Sequence, residues 1–451
     1  MPEFVLLWTD ALLWLVAATA LGYARLARRH AHLAAPWQEV RRQPLALSAG
    51  VVLALYASVA LLDSIHYAPA RGEGPVESDV VSVLDTLLSR LRHASETSYS
   101  APFAAFAHDT QQVTQPDGTS VRAYPRLEYG GRHLVDPAQD LARDVLLRTL
   151  LGGAAGACCG LLAAWPARRH LRNQTTDRAL RAAAWTVVAA GGVMGAVAAL
   201  AHGYHVLGTD KVGTDVLYQA LKSVRTGLVI GTLTTLITLP FALALGVMAG
   251  YFRGVVDDLV QYLYTTLASI PGVLLVAACA LLLDGYMTRH ADEYASLVRR
   301  ADLRLLMLCV ILGITSWTSL CRLLRAEALK LRELDFVWAA RALGARDGRI
   351  LRQHLLPNVM HIVIIATVID FSGLVLAEAA LTYIEIGVDP SMESWGNLIN
   401  AARLELAREP AVWWPLLGAM ASMFVLVLSA NLFADAVREA FDPRTRQGVE
   451  A

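Results

Sequence analysis

The sequence predicts an all-α integral membrane protein, and three observations carry that prediction. Of its 451 residues, 55% are hydrophobic and 17% charged, against roughly 45–50% and about 25% in soluble domains. The remaining apolar residues are gathered into long uninterrupted runs rather than spread along the chain. Three of the short loops between those runs are strongly basic, as cytoplasmic connections of a multi-pass chain are.

A bilayer core about 30 Å thick needs about 20 apolar residues in a helix. Runs that fit are 4–24, 45–62, 145–165, 183–202, 225–250, 262–283, 303–324, 359–381 and 412–433. The first carries Asp10 near one end and no small-residue cleavage site followed by a polar start, so it reads as a retained helix. Arg25, Arg28, Arg29, Arg41 and Arg42 crowd one loop, and Arg168, Arg169, Arg172, Arg178 and Arg181 another. The stretch 325–357 holds seven basic against four acidic residues. If every run crosses once, all three loops fall on one side. That side is expected to be the cytoplasm, with the N-terminus outside and the C-terminus inside.

Charge and cysteine exclude several functions. Lys and Arg balance Asp and Glu at 39 each, so no general attraction to nucleic acid is expected. Lys211, Lys222 and Lys330 are the only lysines and none follows a glycine. A phosphate-cradling P-loop is therefore excluded, and any ATP chemistry must sit on another chain. Cys158, Cys159, Cys279, Cys309 and Cys321 lie in apolar runs without metal-ligand spacing and read as small core-filling hydrophobes.

The long hydrophilic segment 63–144, rich in acids such as Asp63, Glu73, Glu77, Asp79 and Asp85, falls outside. Val80, Leu84, Leu87, Leu88 and Leu91 have helical spacing over 79–93. Turn formers (Gln115-Pro116-Asp117-Gly118, Gly130-Gly131) mark a short hairpin within 115–134. A small folded insertion is expected, its last helix running into the third span.

Between the seventh and eighth runs lies the loop 325–358. A helix is expected to begin near Glu333 and Asp335, acids suited to a helix N-terminus, and to end at Gly344. A second helical stretch through Ile350 and Leu351 is expected to stop at Pro357. A short small-faced helix between two membrane helices suits docking into a groove on another protein.

Here the sequence resembles a family. Ala339-Ala340-Arg341-Ala342-Leu343-Gly344, with Leu356-Pro357-Asn358, is similar to the coupling loop of binding-protein-dependent ABC importer permeases, the peptide/nickel members of the dipeptide and oligopeptide C-subunit type in particular. Leu207-Gly208-Thr209-Asp210 with Gly213 and Asp215 resembles the family's LGTDxxGRD segment, and Ala249-Gly250-Tyr251-Phe252 with Gly254 and Asp257 its AGYFxGxxD turn. Ser394-Trp395-Gly396 resembles an extracytoplasmic SWG, and Asn431, Asp435, Arg438 and Asp442-Pro443-Arg444 the C-terminal tail. The likeness covers about 205–446, with two departures: Trp338 stands where the family loop opens with glutamate, and Thr214 replaces the arginine of GRD.

The resemblance implies a type I ABC importer permease core over 183–446, with its coupling loop about 325–358. Two N-terminal helices (1–62), the insertion (63–144), a third helix with its basic loop (145–182) and a tail (447–451) would surround it. It implies a transport subunit that is not an enzyme and binds no cofactor, ATP-Mg being held by two cytoplasmic ABC ATPases. The other implied partners are a sister permease, an extracytoplasmic substrate-binding protein and the lipid bilayer, in a bacterial inner membrane. Peptides are the expected cargo, with nickel or another small solute second. Trp338, Ala339, Ala340, Arg341, Gly344 and Pro357 are the coupling candidates; Gly208, Asp210, Asp215, Trp395 and Gly396 form the extracytoplasmic motif.

Asp370, mid-span, and Glu378 eight residues on lie about 80° apart round one helix. Each either lines the substrate path or a subunit interface, or is a buried structural carboxylate. His30, His32, His93, His108, His133, His202 and His205 lack supporting Cys or carboxylates at metal spacing, and His354, beside the loop's end, is expected to meet a partner surface or water. Pro240 and Pro271 interrupt runs as hinges or tolerated kinks, and Trp413-Trp414-Pro415 reads as an interfacial aromatic belt. The rival reading is an ion-gradient-driven secondary transporter; no internal repeat supports it.

Overall fold

The computed structural model describes residues 3–68, 80–114, 120–170, 177–290 and 296–441. Glu73, Glu77, Asp79, Arg172, the 115–118 turn, Asp442-Pro443-Arg444 and the 447–451 tail lie outside the described residues.

The chain opens with β1 (Glu3–Val5), α1 (Trp8–Arg29), α2 (Ala31–Arg42), α3 (Pro44–Asp63), β2 (His66–Ala68) and β3 (Val81–Ser82). Next come α4 (Val83–Leu87), α5 (Ser89–His93), the hairpin β4 (Gln111–Thr114) and β5 (Ser120–Ala123), α6 (Pro137–His170) and α7 (Asp177–Ala201). The second half holds α8 (Val216–Phe252), α9 (Val255–Ser269), α10 (Gly272–Arg289), α11 (Leu297–Arg332), α12 (Asp335–Ala342) and α13 (Asp347–Ile350). A π-helical turn (Leu351–Leu355) leads into α14 (Leu356–Tyr383), followed by α15 (Trp395–Glu405) and α16 (Trp414–Phe441). Among the described residues nine helices are long and apolar enough to cross a membrane, one for each predicted run.

The boundaries differ from the sequence reading where backbone chemistry intervenes. The run 262–283 is two helices, because Ile270 before Pro271 is extended (φ −90°, ψ 130°). Pro240, in contrast, sits inside the unbroken α8. The 4–24 run starts late: Phe4 and Val5 pair with Tyr67 and His66 in an antiparallel sheet, and the helix begins at Trp8. The helix expected over 79–93 is two short helices, opened at Ser82 by a capping box with Asp85 and interrupted at Leu88. The hairpin pairs Gln111 with Ala123 and Thr114 with Ser120, so it starts ahead of 115.

The chain divides into two compact units: residues 1–6, 38–227 and 390–433 form one, and 7–37, 228–389 and 434–451 the other. In the first, α6 and α7 touch backbone to backbone through a glycine stripe. A Cβ at Gly160 would stand 2.8 Å from the Val187 carbonyl, and one at Gly156 would collide with the Gly191 carbonyl. Gly156→Leu is therefore expected to cost about 3 kcal/mol or to part the pair, read as a lowered melting temperature of the detergent-solubilised chain. Cys158 and Cys159 are exposed on α6 rather than core-filling, because the α7-facing stripe is already taken by glycine. Cys309 and Cys321 are buried.

In the second unit a core of Tyr251, Trp317, Leu324, Ile350, Leu355 and Val359 joins α8, α11 and the 335–359 segment. The N-terminal α1 belongs here: the Thr9 backbone N–H and hydroxyl both donate to the buried Asp302 carboxylate of α11. Trp37 meets the edge of Phe441 at 5.5 Å.

Candidate functional site

The 325–358 loop stands on a fixed seat. α12 begins at Asp335 with Leu334 as its cap, directly after Glu333, which caps the end of α11 instead. It ends in a Schellman arrangement: Ala345 N–H bonds the Ala340 carbonyl (3.1 Å) and Gly344 N–H the Arg341 carbonyl (3.0 Å). Gly344 has φ +80°, the left-handed region that favours glycine. Val337 is buried beneath α12, while Trp338 is 51% and Leu343 88% exposed. Ala339 is exposed and Ala340 half-buried.

Tyr251, from the Ala249–Phe252 motif, holds this seat. Its hydroxyl donates to Asp347 (2.6 Å), and its carbonyl accepts from Arg332 (2.7 Å). The Arg341 guanidinium lies 5.5 Å from the rings of both Tyr251 and Trp338. Trp338, the departure from the family pattern, thus encloses Arg341 from the outer side. Asp257 of the same motif accepts from Arg325 (2.8 Å). Two motifs separated by some 80 residues make one mount. Pro357 does not end the helix: Leu356 N–H reaches back to the Leu351 carbonyl, and the widened π turn accommodates the proline in a run that continues to Tyr383.

Asp370 and Glu378 part company on α14. Asp370 is exposed, and among the described residues no side chain bonds it. Glu378 is 1% exposed and accepts from the Thr382 hydroxyl at 3.0 Å. The 80° between them spans the edge of the packed face.

The Leu207–Asp215 segment, in the first unit, is a tight loop with positive φ at Gly208 (+69°) and Gly213 (+79°). At Gly213 a side chain would strike the Glu96 backbone. The Asp210 carboxylate accepts from the backbone N–H groups of Val212 (3.0 Å) and Thr214 (2.8 Å) and from Gln219 (2.7 Å). Thr214 serves the loop through its backbone, so losing the family arginine leaves this turn intact. Asp215 caps α8 through Leu217 N–H (2.8 Å) and receives His205 Nδ1 at 2.7 Å. The other ring nitrogen of His205 lies 3.3 Å from Glu96, whose carboxylate also accepts from the backbone N–H groups of Glu128, Tyr129 and Gly130.

Burial pulls the His205 imidazole down, but Asp215 and Glu96 outweigh it and push it up to about 9. Burial raises the Glu96 carboxyl, and His205 with the three N–H groups overrides that and holds it at about 2. The imidazole is a cation between two carboxylates. A second lock lies nearby in sequence: Lys222 bonds Asp85 at 2.8 Å, Tyr218 donates to Asp85 (2.7 Å), and Ser82 donates to Asp63 (2.7 Å). Burial raises Asp85, yet Lys222 brings it to about 2.

Trp395 is fully buried, with its ring on Gly227 and its indole N–H donating to the Ala220 carbonyl (3.1 Å). Gly396 is buried beside it, and Ser394 caps α15 through Asn397 N–H (3.0 Å). Trp414 departs from the aromatic-belt reading: it is 2% exposed and donates to the Thr209 carbonyl at 2.8 Å, while Trp413 stays 49% exposed. A buried indole N–H needs an acceptor, and the 207–215 loop supplies it.

Sequence reasoning missed the partners of His205 and Lys222, because Glu96 and Asp85 lie 109 and 137 residues away from them. The one available signal was two cationic side chains beside the 207–215 motif.

Comparison with known proteins places residues 242–447 within the pattern of the binding-protein-dependent transport system inner membrane component. A dipeptide transport system permease protein of Lactococcus lactis subsp. cremoris is 30% identical over 243 residues, 54% of this chain and 65% of that protein. A glutathione transport system permease protein of Pectobacterium atrosepticum is 28% identical over 54% of this chain and 73% of its own length. An oligopeptide transport system permease protein of Mycobacterium bovis is 28% identical over 54% and 77%. The match thus spans just under two thirds of the first relative and about half of this chain.

Proposed function

We propose that this chain, whose residues 242–447 match the pattern of the binding-protein-dependent transport system inner membrane component, is the membrane-spanning subunit of an ATP-driven importer of peptides. The observation that carries the reading is the mount of α12. An exposed Trp338–Leu343 face is held by Tyr251, Asp347 and Arg332 so that a push on the helix reaches α8, α11 and α14. Two ABC ATPases grip this face from the cytoplasm and the matching loop of a sister permease. Their closure on ATP swings the helices outward-open, and hydrolysis resets them. The chain performs no covalent chemistry; ATP-Mg is held by the ATPases. The chain sits in a bacterial inner membrane with its N-terminus outside, which cysteine labelling from either side of sealed vesicles tests.

An external binding protein delivers the cargo to the 63–144 insertion and the 207–215 loop. Deleting the insertion is a poor test, because it removes Asp85 and Glu96 and strands Lys222 and His205. Charge reversal at the exposed Arg122 on β5 is cleaner: lost capture with an unchanged melting temperature supports the dock, and full capture by several such variants removes it.

Asp370 favours a subunit contact, because an exposed carboxylate on an apolar helix needs a cation or water. Asp370→Asn is expected to weaken retention of the sister permease about tenfold if one ion pair is lost. Quantitative co-purification checks this. Uptake of labelled peptide into proteoliposomes holding all partners tests the function. Uptake that needs ATP and survives ionophores supports the importer; uptake without ATP that ionophores abolish supports the gradient-driven transporter.

A further inference from the structure

A cavity of about 600 Å³ opens in the first unit where the α6–α7 pair ends. Its walls bring together Arg90 of α5, Arg132 and His133 from the loop before α6, Arg148 of α6 and His202 just beyond α7. Two acids bond its walls and both are already committed: Arg148 Nε and His133 lie 2.7 Å from Asp144, to which the Tyr204 hydroxyl donates at 2.8 Å, and Glu96 is closed on His205 and on backbone N–H groups. Arg90 bonds the His202 carbonyl, and among the described residues neither Arg90 nor Arg132 has an acidic partner. The site therefore carries uncompensated positive charge. Gly203 keeps it open, since a Cβ there would stand 2.7 Å from the His133 ring and 3.1 Å from Arg148 Nη1.

What surrounds the cavity narrows the ligand. Leu151 lies one turn from Arg148 on α6 (i+3), Leu147 lies one turn before Leu151 (i−4), and the two are 70% and 45% exposed. Leu87, three residues before Arg90, is 66% exposed. α6 is one of the helices long and apolar enough to span a bilayer, with little of its apolar window buried inside the protein. A cationic cavity with an open leucine surface leading away along such a helix has the layout of a headgroup site with room for acyl chains. The volume falls in the range of small-molecule pockets, roughly 300–1,000 Å³, and far exceeds a bare phosphate. Guanidinium forks match phosphate oxygens in a way a single ammonium does not.

We infer that the Arg90–Arg132–Arg148 cavity binds a phosphate group, that of an anionic phospholipid whose chains lie along Leu147 and Leu151. The lipid would tie the outer ends of α6 and α7 to the insertion.

The test is native mass spectrometry of the delipidated full chain, titrated with phosphatidylglycerol, phosphatidylcholine or inorganic phosphate. Arg90→Gln/Arg132→Gln changes two exposed side chains and is compared with Arg143→Gln, an exposed α6 arginine outside the cavity. One phosphatidylglycerol per chain is expected, bound about tenfold or more weakly by the double variant and normally by Arg143→Gln. Unchanged melting temperatures exclude misfolding as the cause. Phosphatidylcholine should not compete, and inorganic phosphate should displace little. Binding of inorganic phosphate alone, lost in the double variant, overturns the lipid in favour of the free ion. Equal retention of both lipids, or equal affinity in all variants, overturns the site.

Discussion

His205→Ala is expected to cost about 3–5 kcal/mol, the penalty for removing one partner of a buried ion pair. It leaves Glu96 and Asp215 without their shared cation and removes one side-chain tie between the insertion and the Leu207–Asp215 loop, while backbone bonds such as Glu96 N–H to the Gly213 carbonyl remain. The same contact has a pH signature. His205 is raised from 6.5 to about 9, so its contribution is complete below about 6.5 and disappears as pH climbs through 9. Glu96 is lowered from 4.5 to about 2, so its contribution is complete above 4.5 and disappears as pH falls through 2. Both hold fully between about pH 4.5 and 6.5, where the lock is worth about 3 kcal/mol, counted once because it is one interaction. Limited proteolysis of the insertion across pH should show maximal protection in that window and decline toward pH 9, and His205→Gln should flatten the alkaline limb. A profile unchanged by the substitution would contradict the assignment.

Tyr251→Ala has the second large effect. Tyr251 is 2% exposed in the core under α12, and truncation of a buried aromatic costs about 3–5 kcal/mol. Tyr251→Phe removes only the hydroxyl that holds Asp347, at about 1 kcal/mol. On the proposed mechanism the Phe variant keeps its fold and binds the ATPases, yet moves peptide several-fold more slowly per ATP hydrolysed. The Ala variant loses transport altogether. The ratio of peptide taken up to phosphate released in proteoliposomes checks both.

The membrane helices were legible because length and apolarity alone set the nine runs. The mount of α12 was half legible: Ala339–Gly344 and the Ala249–Asp257 turn were each visible, but nothing in their spacing says that Tyr251 reaches Asp347. Pro357 misled because a proline usually ends a helix, and a π turn is not encoded by any one residue. Trp414 misled for a different reason: an indole at the start of an apolar helix looks the same whether it faces headgroups or finds a carbonyl indoors. The three-stranded sheet joins residues 3–5 to 66–68 and 81–82, and pairs so short and distant carry no periodic signal. The two charge locks were invisible for the same reason, since each joins side chains more than 100 residues apart.

The coupling role of α12 is the central claim, and purification of the tagged chain from its native membrane, beside Gly344→Val, tests it most directly. Gly344 sits at φ +80° with nothing near its Cβ position, so a β-branched residue spoils the turn by backbone strain of about 1–3 kcal/mol and not by collision. The account predicts that the wild type retains P-loop ATPases and a second permease, and that the variant keeps the permease and loses the ATPases. A wild-type chain recovered alone from gently solubilised membranes, or ATPases retained equally by both forms, would contradict it.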